Sequence, residues 1–359
     1  MATLSQVDSF REWRRERERD LDRWEEDTST PEKIESALNK ITNAGNAERA
    51  LAGSHDEREI LELLQNARDA ISNGDPDTGQ VYVGVFETGV LVANTGEPFD
   101  LLDGETMNTV RKVGESKKSG DSIGHKGVGL NSVLSVGDAF EVWSQLPGLE
   151  EPLRVRYSRA YLTAALARRF GHEVPVDDLC QPLRPEALVK GGDGTRRLTA
   201  EDGRTSPVTL PNDVGKLPLF WYPWPLRSET DSSPVATRAY DLLTTPEDSL
   251  STFESPPDES FRTAVFIEYE DEEWRNLLDD LNIESPDEGE SKIDANEQAS
   301  LLWEYLSAAV DRSTSLRPET LVQLGEIEDL YLERIGPDGE TAEAEHWNVT
   351  RESESVPRE

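Results

Sequence analysis

Residues 56–73, DEREILELLQNARDAISN, constrain the fold more tightly than any other stretch. At 100° per residue, Ile60, Leu63, Leu64, Ala67 and Ile71 fall on one face, while Glu62, Asn66 and Asp69 gather within about 60° on the other. A helix of this kind needs an apolar surface to lie on. The sequence supplies one at once: after the turn GDPDTG come two β-type runs, QVYVGVFE and GVLVAN, joined through TG as a hairpin. A helix followed by a hairpin on which it can pack predicts an α+β domain.

The second run ends in NTGEPFD, and the chain then enters RKVGESKKSGDSIGHKG, which holds four of the nine lysines: Lys112, Lys117, Lys118 and Lys126. These lysines stand out because the chain as a whole carries 73 acidic against 37 basic residues, a formal net charge of -36. In such a background a local basic cluster marks a place where an anion is wanted. Three glycines, Gly124, Gly127 and Gly129, follow in the order G-x-x-G-x-G and run straight into a predicted helix at GLNSVLSV. Glycine disfavours helical segments by roughly 1 kcal/mol, so a cluster of it at a helix start requires a backbone-level reason. One reason is a tight turn; another is a set of free amides aimed at a phosphate. The pattern is neither the P-loop, because Ser or Thr does not follow Lys126, nor the dinucleotide fingerprint.

The acidic excess is spread along the whole chain, which is the composition expected of a protein from a halophile's cytoplasm, where molar salt screens the self-repulsion. The same charge disfavours general binding to a nucleic-acid backbone. The single cysteine, Cys180, and four scattered histidines give no metal-ligand spacing. No segment approaches a membrane span, and the first residues lack a signal-peptide core, so a cytoplasmic location without membrane attachment is expected.

Elsewhere the organisation is looser. Residues 8–27 alternate acids and arginines at helical spacing, predicting a solvated helical arm over 1–30; a second helix is expected over 31–52. AFEVWSQ reads as a strand, and LRVRYSRAYLTAALARRFG as strand then helix. KGGDGTRRLTAEDGRTSP reads as polar loop. LPLFWYPWPL, broken by prolines, suits either a partner-binding surface or a lid packed on the sheet. FRTAVFIEY returns to a β pattern, and EDEEWRNLLDDL and NEQASLLWEYLSAAVDR look helical.

The order of these features, a helix with ELLQNARDA, a strand ending in Asn94-x-Gly96, a basic loop and then IGHKGVG, resembles the GHKL (Bergerat-fold) ATPases, the superfamily of Hsp90, MutL, the gyrase ATPase subunit, MORC proteins and histidine kinases. Within it the likeness is to the sacsin and Hsp90-like branch, whose first motif reads much like E-L-x-Q-N-A-x-D-A and whose third reads like I-G-x-K-G-x-G. The resemblance spans roughly residues 56–143 and resumes at FRTAVFIEY. It implies a two-layer α/β sandwich with a mixed, mostly antiparallel sheet over residues 31–275, interrupted by an insertion at about 145–260 and followed by a helical and β extension over 276–359.

The resemblance also implies roles. Glu62 would be the general base that orients the attacking water, and Asn66 a ligand of Mg2+. Asp69 would support the helix edge near the nucleotide. Asn94 stands where the family commonly has an aspartate that accepts from the adenine amino group; an asparagine can accept through its oxygen and donate as well. Gly96 would pass beneath the adenine, and Thr263 would stand at the start of a strand beside it. Gly124, Gly127, Val128 and Gly129 would cradle the phosphates of ATP, with Lys126 and Lys117 neutralising charge there. Leu130 and Asn131 depart from the residues frequent at their positions. The implied function is a Mg-ATP-binding, ATP-hydrolysing module that drives conformational change in a chaperone-like or remodelling protein, with an unidentified client or partner protein and room for a homodimer. Two alternatives stay open: the ATPase part of a MutL- or MORC-like DNA-processing or defence complex, and a regulatory module that binds nucleotide without hydrolysing it.

Overall fold

The computed structural model describes residues 43–46, 48, 59–74, 79–101, 137, 139–162, 197–199, 205–207, 218–221, 224–226, 233–257, 259–268 and 326–348. The expected arm over 1–30 and the helices expected at EDEEWRNLLDDL and NEQASLLWEYLSAAVDR lie outside these residues, as does the basic and glycine-rich stretch 102–136.

The amphipathic segment forms α1 (Glu59–Gly74). The hairpin expected after it is β1 (Gln80–Phe86) and β2 (Gly89–Asn94), paired antiparallel from Val81↔Asn94 to Phe86↔Gly89. AFEVWS and LRVRYS make a second antiparallel hairpin, β3 (Ala139–Ser144) and β4 (Leu153–Ser158). A small separate hairpin follows, β5 (Arg197–Thr199) with β6 (Thr205–Pro207), inside the stretch read from sequence as polar loop. Three-residue strands are too short to show a period, which is why pattern reading passes over them. Next come β7 (Trp224–Leu226), α2 (Pro234–Thr244), the single turn α3 (Pro246–Ser249), β8 (Thr263–Glu268), β9 (Asp329–Ile335) and β10 (Thr341–Asn348).

Eight of these strands form one sheet in the order β10-β9-β1-β2-β8-β3-β4-β7. Only β1 and β9 run parallel; the other neighbours are antiparallel, so the sheet is mixed and mostly antiparallel. β8 lies between the two hairpins and pairs over six residues with each of β2 and β3. The stretch expected as an insertion thus supplies β4 and β7, and the expected C-terminal extension supplies β9 and β10, all to the same sheet. Among the described residues β7 is an edge strand, where Pro225, which has no N–H to give a ladder, is tolerated.

Alternation along the strands sorts the side chains to two faces. On the first, Val83, Val92, Phe140, Val155 and Ile267 pack with Leu63, Leu64, Ala67 and Ile71 of α1. Burying each of the larger side chains contributes about 1.5–3 kcal/mol. Phe220, from the proline-broken aromatic stretch, meets Phe140 and Tyr157 edge-on at 5.1 and 5.9 Å. These residues of the aromatic stretch are core, with Leu219, Phe220 and Trp224 all buried. On the second face, Tyr82, Leu91, Phe266 and Tyr331 pack with Ala239, Leu242 and Leu243 of α2. α2 covers this face, so the described residues place a helix on each side of the sheet. Pattern reading gave no helix at α2, although its start is marked: Ser233 accepts from the Ala236 amide, and Pro234 occupies the first helical position.

The second face also buries charge. Glu141 accepts from Arg154 at 2.7 Å and from Arg156 at 2.8 Å, and Arg156 reaches on to Glu268 at 2.6 Å, which ties β3, β4 and β8 together. The Arg154 guanidinium lies 4.9 Å over the Trp143 ring. Nearer β9, the fully buried Glu333 accepts from Tyr82 (2.6 Å), Arg238 of α2 (3.2 Å) and Thr341. Burial, with the Glu333 charge beside it, holds the Tyr82 hydroxyl well above the usual phenol range.

Glu48 is a buried carboxylate of another kind. Its two oxygens accept from the amides of Leu219 (2.6 Å) and Phe220 (3.0 Å), at the start of a short 3-10 turn, Leu219–Trp221. Burial pushes its pKa up to about 7 from 4.5, against the opposing effects of Arg159 and the two amides.

Two outcomes follow. Glu141→Ala removes the carboxylate that two buried guanidinium groups share, leaving Arg156 on Glu268, and lowers stability by about 3–5 kcal/mol. Because buried pairs are screened little, urea denaturation should give a similar loss in dilute and in molar KCl; a loss that disappears in molar KCl would show that the pair is solvated. For Glu48, the raised folded pKa means that its protonated form contributes stability fully below pH 4.5, and that this contribution is lost as pH rises through about 7. The stability difference between wild type and Glu48→Ala should therefore shrink across that window, read by melting curves at matched salt.

Candidate functional site

The site implied by sequence divides into a part that the structure describes and a part that it does not. Lys117, Gly124, Gly127, Val128, Gly129 and Lys126, together with Leu130 and Asn131, lie outside the described residues. Glu62 lies in the first turn of α1, with its side chain outside the description. Asn66, one turn further on, is half-buried at the margin of the packed face. Asp69 is bound to the neighbouring Arg68 at 2.7 Å and is 42% exposed, so it sits in a surface ion pair.

The segment after β2 is tied down along its length. Asn94 is buried, and its Oδ1 accepts from the Gly96 amide at 3.1 Å. Thr95 exchanges bonds with Gln80: its amide donates to the Gln80 carbonyl, and its Oγ1 accepts from the Gln80 amide, both at 3.1 Å. The Glu97 amide donates to the Ala70 carbonyl of α1 at 2.7 Å, and the Phe99 amide to Thr263 Oγ1 at 2.9 Å. Five of the six residues from Asn94 to Phe99 thus bridge β1, β2, α1 and the first residue of β8.

Gly96 is the tightest point of this crossing. A Cβ there would stand 2.2 Å from the Ala70 carbonyl carbon and 2.3 Å from the Ile71 nitrogen. Gly74 faces the same segment from the helix side, with a Cβ position 2.3 Å from the Glu97 nitrogen. The resemblance implies that Gly96 passes beneath a base; in the structure its missing side chain is what lets the strand end touch the backbone of α1.

Register brings together residues that are far apart in sequence. Asn94 pairs with Thr263 across β2 and β8, and Thr263 pairs with Ser144 across β8 and β3. The three form one rung at the strand ends, on the face that carries α1, because each lies an even number of residues from core positions of that face: Val92, Val265 and Val142. All three are buried. The Ser144 Oγ is buried with no hydrogen-bond partner among the described residues. Two neighbours share this condition, Nε1 of Trp143 and Oε1 of Gln145. Trp143 belongs to the core of the opposite face. Gln145 is anchored by its Nε2 on the Leu149 carbonyl at 2.8 Å.

Of the predicted residues, then, Asn94 and Thr263 meet on one rung and Gly96 joins them to α1, which carries Glu62 and Asn66. Ser144 was not singled out from sequence. The alternation in AFEVWS, which sets Ser144 two residues beyond Val142, was the signal that could have placed it on the α1 face. Among the described residues no group of three or more His, Cys, Asp or Glu side chains could hold a metal ion. No described helix is long and apolar enough to cross a membrane.

The sequence matches no protein-family model and no curated protein.

The close approach at Gly96 has a direct test. Gly96→Ala forces the strand end off α1, with an expected loss of about 1–3 kcal/mol, measured by urea denaturation in molar KCl. An alanine variant as stable as wild type would show that the helix and the strand end have room between them.

Proposed function

We propose that the chain is a Mg-ATP-binding and ATP-hydrolysing module of the GHKL type, acting in a salt-rich cytoplasm to drive conformational change in a chaperone-like or remodelling assembly. In this reading α1 and the sheet face beneath it form the nucleotide layer of a Bergerat-type fold, and α2 is this chain's cover for the second face. The observation that carries the reading is the rung: Asn94 and Thr263, assigned to the base on motif position alone, stand side by side at the strand ends, on the sheet face that bears the helix of Glu62 and Asn66.

The roles follow from chemistry. Asn94 and Thr263 meet the edge of the base. The carboxamide of Asn66 offers a neutral oxygen to a hard cation, and Mg2+, when bound, neutralises charge on the phosphates. The carboxylate of Glu62 takes a proton from the attacking water. The lysines and glycines of 112–129 supply positive charge and amide donors to the phosphate oxygens.

Glu62 and Asn66 share one helix edge and should fail differently. A water-activating base acts only in the reaction, so Glu62→Ala keeps ATP affinity nearly intact and slows hydrolysis by roughly 10²-fold to 10⁴-fold. Asn66→Ala removes a cation ligand, so it weakens Mg-ATP binding and loses turnover as a consequence. ATP titration and phosphate release in molar KCl separate the two. If wild type binds ATP without hydrolysing it and Glu62→Ala behaves identically, the chain is a nucleotide-binding regulatory module; if it binds no nucleotide, the proposal fails.

A further inference from the structure

We propose that Ser144 is a third base-contacting residue, and that the Asn94–Thr263–Ser144 rung binds a 6-oxopurine nucleotide nearly as well as a 6-aminopurine one. This rests on the nucleotide-binding reading and goes beyond it, since Ser144 belongs to no sequence motif and its place on the rung is set by register.

The argument is an inventory of donors and acceptors. An amide N–H must face an oxygen, so the bond from Gly96 fixes the orientation of the Asn94 carboxamide, with Oδ1 towards Gly96 and the two hydrogens of Nδ2 left to offer. Thr263 Oγ1 already accepts from the Phe99 amide, which leaves its own hydrogen to donate. Two of the three groups are thereby turned into donors for whatever lies against the rung. Ser144 is different. Its hydroxyl is fully buried and unpartnered among the described residues, and a rotating hydroxyl donates or accepts as its neighbour requires.

A buried hydroxyl with no partner is costly, so a position that keeps one calls for a reason. Next to two side chains already held by backbone amides, a ligand edge that arrives only on binding supplies it. The segment from Asn94 to Phe99 also shows why the hydroxyl is left over: its amides reach β2, α1 and β8, but not β3. The two donors suit ring nitrogens or a carbonyl oxygen, and the adaptable hydroxyl accepts from a 6-amino group or donates to a 6-oxo group. The rung therefore lacks the fixed acceptor that would make a 6-oxopurine repel it.

The test uses the full chain in molar KCl with Mg2+, titrated with ATP and ITP. The two affinities should lie within about fivefold of each other, whereas a site built to read one pattern discriminates by factors of roughly 10⁴. Ser144→Ala should weaken both nucleotides by about fivefold while leaving the melting temperature of the free protein unchanged or raised. An ITP affinity more than about a hundredfold weaker than that for ATP overturns the inference with no variant needed. So does a Ser144→Ala protein that melts higher and binds ATP as wild type does, because the hydroxyl is then merely an internal defect. In both cases the nucleotide site itself stands. Absence of binding by either nucleotide removes the function proposed above, and this inference with it.

Discussion

The architecture depends on the position of β8. The two hairpins, β1–β2 and β3–β4, have no direct bond to one another; each pairs with a different edge of Thr263–Glu268. That strand arrives late in the chain, so the sheet is completed by a non-local pairing whose loop-closure entropy is met only when both hairpins are already in place. Among the described residues it carries joints of several kinds between the halves: the apolar contacts of Ile267 on one face and Phe266 on the other, the Arg156 bridge from Glu141 to Glu268, and the rung of Asn94, Thr263 and Ser144.

Charge is used in two opposite ways. Over the chain as a whole, acidic side chains outnumber basic ones about two to one. Inside the second face the balance is local, with Glu141 shared by two arginines and Glu333 met by Arg238 and two hydroxyls. Surface carboxylates respond to ionic strength, whereas these interior groups are insulated from it. The polar bonds inside the second face are therefore little affected by the ionic strength that governs an acidic surface.

Legibility in the sequence tracked periodicity. α1 and its hairpin were readable because their apolar positions recur with helical and strand patterning over six residues or more, and the end of β2 was readable from the Asn-Thr-Gly that begins at Asn94. β8 was visible as FRTAVFIEY, yet nothing in its composition said that it would lie between β2 and β3; that is a property of register. α2 went unread because it sits among prolines and polar residues in a segment without a strong pattern, although Ser233 and Pro234 mark its start. The exclusively structural facts are those that depend on a partner distant in sequence: Glu48 on the amides of Leu219 and Phe220, Gly96 against Ala70, and Ser144 beside Thr263. At Gly96 the sequence pointed to a flat ligand, and the structure shows a helix backbone in the direction of the missing side chain.

Among the described residues the outer margin of the sheet is β10, and its middle residues, Ala342 to Glu345, are exposed. An unpaired strand margin is an invitation to any other chain with free amides, and salt that hides surface charge would ordinarily strengthen the invitation. Glu343 and Glu345 are exposed there, and Glu343 is held by Arg334 of β9 at 3.2 Å. A strand docking there would have to strip water from carboxylates that have little to gain in return, a penalty that remains when long-range fields are screened. The register shift between Thr341 and Glu343 adds a geometric obstacle by breaking the regular spacing of the margin. This margin is thus guarded by means that do not rely on long-range repulsion.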